Sequence, residues 1–275
     1  MSDSKDNDLP IGIFDSGVGG LTVLKAINAE LPDENLVYLG DTARLPYGTK
    51  SPASIARYAT QATEKLKMQG IKLLVVACNT ASAVALDALR AQMSPLPVIG
   101  VVEPGATAAV GARPGGSHLV LATEATVALG AYRRAIKTLD PAATVREQAC
   151  ELLVALAEEG WTEGDIASKV IRRYLDEATE GDFRPESIIL GCTHFPLLKD
   201  SIQAAASDEV LIVDSANTTA AVVSDTLRSD RTLRVSDKAG TLRFLATDGV
   251  TRFARIGGRF LGQPLSDTEI ELVDL

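Results

Sequence analysis

Two cysteines in matching surroundings are the residues of this 275-residue chain best suited to chemistry. Each follows a short apolar run that ends in a small residue, and each precedes polar residues and a predicted helix: LLVVACNT (73–80) holds Cys78 and SIILGCTH (187–194) holds Cys192. In a parallel α/β sheet, ligands bind where the strands end, so both cysteines are expected at ligand-binding edges. If the two units face each other across a cleft, the two sulfurs approach one ligand from opposite sides.

A pair of opposed thiols can invert a carbon centre. A cysteine before a helix N-terminus lies near the positive end of the helix dipole, where a thiol pKa of about 8.5 can fall to roughly 3.5–7.5. One thiolate then removes a proton from carbon while the opposite thiol donates one to the other face. We therefore expect no cofactor and no metal, and the 2 histidines of the chain also disfavour a zinc cluster. A single cysteine would more often be a packing residue, and we interpret Cys150, which lacks this context, as structural.

Two glycine-containing segments could contribute to the same cleft. Residues 11–20 (IGIFDSGVGG) predict a strand, a turn and a helix, but they lack the spacing of a phosphate-binding loop. They form either a plain tight turn or a site where Asp15 and Ser16 face a ligand ammonium group. The loop RLPYG (44–48) carries the hydroxyl of Tyr47, and its alternative is a plain proline–glycine turn.

The polar residues after the two cysteines suit a carboxylate ligand. Asn79, Thr80 and Thr193 offer side-chain donors beside helix N-terminal amides. Helix capping is the alternative for Asn79 and Thr80. His194 is either a structural histidine or, beside Cys192, a residue that tunes this thiol.

Strands and helices alternate along the chain. Short, mostly non-alternating apolar runs, typical of strands buried on both faces of a parallel sheet, recur at Ile11–Phe14, Leu36–Leu39, Leu73–Ala77, Val98–Val102, Leu119–Ala122, Ile188–Leu190 and Leu211–Val213. We predict an α/β fold of two pseudo-symmetric α/β domains with parallel-sheet cores and the active site in the cleft between them. Residues 11–99 plus 214–275 are assigned to the first domain and 100–213 to the second, after a disordered tail at 1–10.

The composition excludes several classes of protein. Hydrophobic residues make up 46% of the chain, and 36 acidic against 27 basic residues give a net charge of −9. Such a charge disfavours nucleic acids and anionic membrane surfaces as partners. The chain has no apolar run of about 18 residues and no secretory signal pattern, and its cysteines number 3. We therefore expect a cytoplasmic protein with free thiols.

Four motifs together resemble a known family. They are FDSGVGGLTV (14–23), RLPYG (44–48), ACNTAS (77–82) and GCTHFPLL (191–198). In order and spacing they are similar to those of the cofactor-independent aspartate/glutamate racemase family, and the resemblance extends from Ile11 to about Gly262.

The resemblance implies a racemase that interconverts L- and D-glutamate and supplies D-glutamate for peptidoglycan. It implies that Cys78 and Cys192 are the acid–base pair on opposite faces of the α-carbon. The other residues it implies at the site are Asp15 and Ser16 near the amino group, Tyr47 and Gly48 in the binding loop, Asn79, Thr80 and Thr193 on the carboxylate, Thr123 and Thr126 near the substrate, His194 assisting Cys192, and Glu158 as an auxiliary residue. We expect glutamate as the small-molecule substrate and a homodimer as the assembly.

Some departures and alternatives accompany this interpretation. Where the family commonly has Cys-Pro and Val-Pro pairs, this chain has Cys150-Glu151 and Val154-Ala155, which leaves the conformation of the loop before Glu158 open. The alternatives are a racemase of aspartate or a related amino acid with the same machinery, a cysteine-nucleophile hydrolase or transferase, and a non-catalytic amino-acid-binding module.

Overall fold

The structure is a computed structural model that describes residues 7–275. Strands and helices alternate along this range. The strands are β1 (Ile11–Asp15), β2 (Leu36–Gly40), β3 (Leu73–Val76), β4 (Val98–Gly100), β5 (Ser117–Ala122), β6 (Thr144–Ala149), β7 (Ser187–Gly191), β8 (Leu211–Asp214), β9 (Leu242–Ala246) and β10 (Ile270–Leu272).

The helices fill the connections between these strands. They are α1 (Leu21–Glu30), α2 (Pro52–Lys67), α3 (Asn79–Met93), α4 (Val102–Ala112), α5 (Glu124–Leu129), α6 (Ala131–Leu139), α7 (Glu151–Glu159), α8 (Gly164–Ala178), α9 (Lys199–Ala205), α10 (Ser215–Asp230) and α11 (Val250–Leu261), with short 3₁₀ helices at Thr42–Arg44, Tyr47–Thr49, Phe195–Leu198 and Asp267–Glu269. Within residues 7–275, no helix has both the length and the apolar character needed to cross a membrane.

The strands form two parallel sheets with the same internal path. The six-stranded sheet has the order β10-β9-β2-β1-β3-β4 and the four-stranded sheet has the order β6-β5-β7-β8. In the first sheet the chain passes from β1 to β2 on one side and then to β3 and β4 on the other. It repeats this path from β5 to β6 and then to β7 and β8. The predicted fold class, two pseudo-symmetric α/β units with parallel-sheet cores, is confirmed.

Helices cover both faces of the central strands. Ile13 and Val75 belong to the apolar core on one face of the six-stranded sheet, whereas Phe14 and Val76 belong to the core on the other. Because both faces are buried, these strands lack a polar side, which explains their continuous apolar runs. The helix α2 begins at Pro52, where proline's fixed backbone angle favours a first helical turn.

The sequence did not predict three of the strands. The strand β6 lies at the edge of its sheet and has the polar sequence TVREQA, so no apolar run marks it. The strands β9 and β10 lie side by side at one end of the six-stranded sheet, with β10 as its edge strand. The predicted run Val98–Val102 is also too long, because β4 ends at Gly100 and Val102 already begins α4.

The division into domains at 11–99 plus 214–275 and 100–213 stays a proposal, which the membership of the sheets supports. Two boundary residues differ from it. Gly100 pairs with Val76 in the six-stranded sheet, and Asp214 pairs with Leu190 in the four-stranded one. Each boundary of the proposal therefore shifts by one residue.

The predicted disordered tail falls partly outside the structure. Its residues 1–6 lie outside the described residues. For residues 7–10 the structure differs from the prediction. Lys72 Nζ donates to the Asn7 carbonyl at 2.7 Å, and Asn35 Nδ2 donates to the Asp8 carbonyl at 2.9 Å. These hydrogen bonds from later segments hold Asn7 and Asp8 in place. Both residues are polar, so the sequence did not indicate that they pack against the fold.

His118 in β5 makes the stability of the fold dependent on pH. The side chain is fully buried and its Nδ1 lies 2.8 Å from Ser187 Oγ, while Nε2 has no partner in the described chain. Burial lowers the pKa of His118, against the opposing charges of Glu186 and Asp140. Below about pH 6.5 the unfolded chain binds a proton at His118 that the folded state does not bind. The free energy of unfolding therefore falls as the pH drops below about 6.5 and rises again as the pH increases.

We expect the wild type to lose about 1 kcal/mol more unfolding free energy than His118→Asn when the pH falls from about 7.5 to about 5.5. Asparagine keeps a polar atom near Ser187 but does not titrate. Urea unfolding at the two pH values measures the difference. An equal loss in both proteins would contradict the assignment to His118.

Candidate active site

The repeated path of the two sheets gives Cys78 and Cys192 equivalent positions. Cys78 follows β3, beside the point where strand order reverses between β1 and β3, and Cys192 follows β7 beside the matching point between β5 and β7. Such reversal points are where α/β sheets bind ligands. Both residues are buried, and they are close enough for the charge of Cys192 to raise the pKa of Cys78. The structure therefore places the two buried thiols near each other.

Cys78 caps the N-terminus of α3. Its sulfur accepts a hydrogen bond from the Ala81 N–H at 3.4 Å and donates to Ser16 Oγ at 3.4 Å. Burial and the nearby Asp15 charge nevertheless raise the pKa of Cys78 to about 12, because these effects outweigh the two hydrogen bonds. The structure thus differs from the expected lowering of this pKa by the helix dipole, and the Cys78 thiol is protonated at neutral pH.

Cys192 lies at one end of a chain of polar side chains. His194 Nδ1 is 3.7 Å from its sulfur, and His194 Nε2 is 3.3 Å from Glu158 Oε1. Burial opposes a charged imidazole, but the bonds to Cys192 and Glu158, together with the charge of Asp15, raise the pKa of His194 to about 10. His194 is therefore an imidazolium at neutral pH, placed to donate to a sulfur anion. The bond from His194 also lowers the pKa of Glu158, against its burial.

Asp15 ends β1 and is fully buried beside Cys78. Its Oδ2 accepts from the Gly17 N–H at 2.9 Å and lies 3.4 Å from the Tyr38 hydroxyl, whereas Oδ1 has no partner in residues 7–275. Burial raises the pKa of Asp15, although the cation at His194 opposes this. A cationic ligand group at Oδ1 would remove the cost of burying this carboxylate.

Asn79 presents an unpaired amide donor to the same region. The Tyr132 hydroxyl donates to Asn79 Oδ1 at 2.7 Å and so fixes the orientation of the amide. Its Nδ2 is buried without a partner in the described residues. An amide N–H in this position suits a ligand carboxylate oxygen.

Three threonine hydroxyls form a triangle between the two halves. Thr80 Oγ1 lies 3.0 Å from Thr123 Oγ1 and 3.1 Å from Thr126 Oγ1, and the last two are 3.0 Å apart. Each hydroxyl carries a single O–H donor, so an anionic ligand group would accept from the triangle by replacing one or more of these mutual bonds. Gly48 packs against Thr123, and a Cβ at Gly48 would lie 3.1 Å from Thr123 Cβ, so glycine allows this close approach.

The Tyr47 hydroxyl is already engaged. It donates to Asp41 Oδ2 at 2.5 Å, and Asp41 also accepts from Arg44 Nε and Thr247 Oγ1. Burial, followed by the charge of Asp41, raises the pKa of Tyr47 far above its ordinary value. Tyr47 therefore holds its loop in place through Asp41.

Thr193 joins the two halves beside His194. Its carbonyl accepts a hydrogen bond from Thr22 Oγ1 at 3.0 Å. A Cβ at Gly19 would overlap Thr193 Oγ1 and His194 Nδ1. Glycine at this turn is therefore what lets the loop after β1 reach the segment that follows Cys192.

Several residues of the site were missed by sequence reasoning. Tyr38, Asp41, Tyr132 and Arg252 each bond to a predicted site residue or its neighbour. Tyr132 follows the apolar period of its helix, and that period carries no sign of the hydroxyl's partner. Arg252 donates to Glu158 Oε2 at 2.7 Å across 94 positions of sequence, and no local signal marks it.

Two further expectations concern the segment before Glu158. Residues 151–159 form the helix α7 rather than a loop, with Leu153, Leu156 and Ala157 buried against the core. Cys150 is fully buried and burial raises its pKa, in keeping with a packing role.

Within the described part of the chain, no cluster of three or more His, Cys, Asp or Glu side chains could hold a metal ion.

Comparisons with known proteins agree with this geometry. Residues 11–223 match the family model described as Asp/Glu/Hydantoin racemase. The chain is 48% identical over 257 residues to a glutamate racemase from Geobacter metallireducens, with 94% of each chain covered. It is similar to the solved structure of the glutamate racemase of Francisella tularensis in complex with D-glutamate, with a TM-score of 0.90, 35% identity and 98% of each chain covered. It is also similar to the structure of the glutamate racemase of Thermus thermophilus in complex with β-chloro-D-alanine, with a TM-score of 0.88, 41% identity and 98% of each chain covered. The predicted resemblance and the predicted enzyme class, an isomerase, are confirmed. The chain belongs to the Asp/Glu/Hydantoin racemase family.

Proposed function

We propose that this chain interconverts L- and D-glutamate by two proton transfers, with Cys78 and Cys192 as the two bases. The observation that carries the proposal is the occurrence of two buried, electrostatically coupled thiols at equivalent ends of two repeated sheets. A single nucleophile would leave the second thiol without a role. The relatives named as glutamate racemases support glutamate as the substrate.

The proposed reaction inverts the α-carbon without any net change in protons. One cysteine thiolate takes the α-proton and becomes a thiol, and the electron pair of the C–H bond passes to the α-carbon and its carboxylate. The opposite thiol then gives its proton to the other face and becomes a thiolate. We propose that Cys192, which lies beside a cationic His194, is the base for the enantiomer whose α-proton faces it, and that Cys78 is the base for the other enantiomer.

The surrounding polar groups match the charges of an α-amino acid. We propose that Asp15 Oδ1 accepts from the substrate ammonium, near Ser16. Asn79 Nδ2, Thr80, Thr123, Thr126 and Thr193 would donate to carboxylate oxygens, while Tyr47 and Gly48 shape the loop that closes over them. Donors held in advance around the carboxylate favour the negative charge that develops when the α-proton leaves. Asn79 Nδ2 is assigned because it is buried and unpaired in the described residues, and the threonine hydroxyls are assigned because they are buried at the site.

A cysteine-nucleophile hydrolase or transferase is the second candidate, which the order of side chains at Cys192 alone favours although the family and the named relatives are racemases. Cys192, His194 and Glu158 lie in the order thiol, imidazole and carboxylate that activates a nucleophile. This candidate gives no role to Cys78 and would produce a covalent acyl adduct on Cys192. Mass spectrometry of the protein during turnover distinguishes it from the racemase.

The test of the racemase is an assay with L-glutamate and no added cofactor. We expect circular dichroism to decay to zero, and in deuterated water we expect the α-carbon of the product to carry deuterium, since the second thiol donates a solvent-derived proton. L-aspartate, assayed in parallel, is expected to react about 10–200-fold more slowly, because its side chain is one methylene shorter. Inversion without deuterium incorporation, or faster inversion of aspartate, would contradict the proposal.

The biological setting is also proposed from the family. D-glutamate made in the cytoplasm would supply peptidoglycan synthesis, and the 3 free cysteines suit a reducing compartment. The assembly is proposed to be a homodimer, which light scattering of the purified protein measures directly.

A further inference from the structure

The helix α11 forms a wall behind the Cys192 side of the site, although it belongs to the other half of the molecule. It follows β9 in the six-stranded sheet, whereas Glu158 and His194 follow β6 and β7 in the four-stranded one. Three of its side chains reach this pair. The Phe260 ring packs edge-on against the His194 ring with centroids 5.0 Å apart, Arg252 bonds to the Glu158 carboxylate, and Arg259 bonds to the Glu158 carbonyl.

Arg252 and His194 bond to different oxygens of the Glu158 carboxylate. Arg252 Nη2 holds Oε2 at 2.7 Å, which leaves Oε1 directed at His194 Nε2 at 3.3 Å. Without this contact the carboxylate could rotate toward solvent, since a glutamate side chain has several accessible rotamers. The bond of Glu158 to His194 in turn orients the imidazole, whose other nitrogen faces the Cys192 sulfur.

We infer that Arg252 is a positioning residue for proton transfer at Cys192, acting through Glu158 and His194 and only when the two halves of the molecule are together. The inference rests on the proposed function and deepens it. Arg252 would link closure of the cleft to the orientation of the Glu158–His194 pair that assists Cys192. It does not touch the reacting atoms itself.

The variants are Arg252→Gln, which removes the charge, and Arg252→Lys, which keeps it. Arg255→Gln is the matched control, because it removes the same charge from another exposed position of the same helix without touching the Glu158 bond. The side chain of Arg252 is 58% exposed, so the variants are expected to fold. We expect Arg252→Gln to lower kcat/KM about tenfold, a part of the roughly 10²–10⁴ that a positioned acid–base group contributes. Arg252→Lys should recover part of the loss.

Isotope effects reveal which proton transfer is affected. Raising the barrier for transfer at Cys192 makes that step more rate-limiting. With α-deuterated substrates, the isotope effect on kcat/KM should therefore rise in the one direction in which Cys192 removes the proton and fall in the other. A general structural defect would change both directions alike. Equal changes in both directions, or rates indistinguishable from Arg255→Gln, would overturn the inference.

A second measurement does not depend on activity. The chain has only 2 histidines, so ¹⁵N-histidine labelling with one assignment variant follows His194 directly by NMR. The titratable groups that face His194 are the Cys192 thiol, the Glu158 carboxylate and the Asp15 carboxylate. If Arg252 acts by holding Glu158, its loss weakens the Glu158 bond and lowers the titration midpoint of His194 by about one pH unit.

The direction of this change separates the two explanations. If Arg252 acted on His194 only through its own positive charge, its removal would raise the midpoint, and a rise or no change would overturn the inference. The titration remains decisive even if the chain fails to racemise glutamate. In that case the proposed function is wrong while the positioning contact is still tested.

Discussion

Replacing either Cys78 or Cys192 with alanine is expected to abolish racemisation of glutamate, with a loss of at least about 10⁴-fold in kcat/KM. Each variant lacks the acid or the base on one face of the α-carbon, and no neighbouring group replaces it. His194 lies behind the Cys192 sulfur, and Ser16, which bonds to Cys78, is a much weaker acid than a thiol. A loss of 10⁴ corresponds to about 5.5 kcal/mol of transition-state stabilisation.

The matched control is Cys150→Ala, because Cys150 is an equally buried free thiol with its sulfur on the Gln148 carbonyl. This variant should lose stability but keep its turnover. Circular dichroism of glutamate follows inversion, and proton NMR in deuterated water follows loss of the α-proton. Normal inversion by either the Cys78 or the Cys192 variant would refute the two-base assignment.

Asp15→Asn is expected to lower kcat/KM for glutamate about 100-fold and at the same time to stabilise the free protein. The variant keeps an oxygen for the Gly17 N–H and has nearly the same volume, but it removes the charge that we assign to the substrate ammonium. A lost charge-assisted hydrogen bond costs about 1.5–3 kcal/mol, which corresponds to a factor of about 10–150.

The gain in stability follows from the pKa of Asp15, which burial raises in the folded state. Because the folded pKa exceeds the unfolded one, the stability contributed by the protonated group is present below about pH 4 and is lost as pH rises through the folded pKa. The wild type therefore bears a cost at neutral pH that the variant avoids. Asp15→Asn should be more stable at pH 7 and equal to the wild type below about pH 4.

Thermal unfolding at the two pH values and steady-state kinetics measure the two effects. Asp165→Asn, at an exposed position of α8, is the control for the change in net charge. Full activity of Asp15→Asn would contradict the ammonium-binding role. A loss of stability at neutral pH would show instead that the charged carboxylate holds the turn after β1.

Local patterns were sufficient to predict the layers of the fold and the two cysteines. The runs before Cys78 and Cys192 are apolar because both faces of β3 and β7 are buried, and the polar residues after them mark the strand ends. The edge strand β6 was not predicted, because a half-exposed strand needs no apolar run.

The hydrogen-bond partners of the site residues could not be predicted from local sequence patterns. Tyr132 reaches Asn79 across 53 positions, and Thr247 reaches Asp41 across 206. A hydrogen bond between distant segments depends on how two layers of the fold pack together. Neither the hydrophobic periodicity nor the secondary-structure propensity of a segment specifies that packing. Only the assembled fold revealed that the Tyr47 hydroxyl is held by Asp41.

The sequence by itself determined the α/β layers, the two thiols at strand ends and the kind of chemistry that paired thiols can perform, since each of these follows from residue types within a few positions of one another. The tertiary structure decided which groups are charged and which are free to bind. Cys78 is protonated because burial and Asp15 outweigh its own helix terminus, and Arg252 reaches Glu158 because the two halves close on each other. Desolvation and charge coupling act through space, so they depend on neighbours that the order of residues along the chain does not specify.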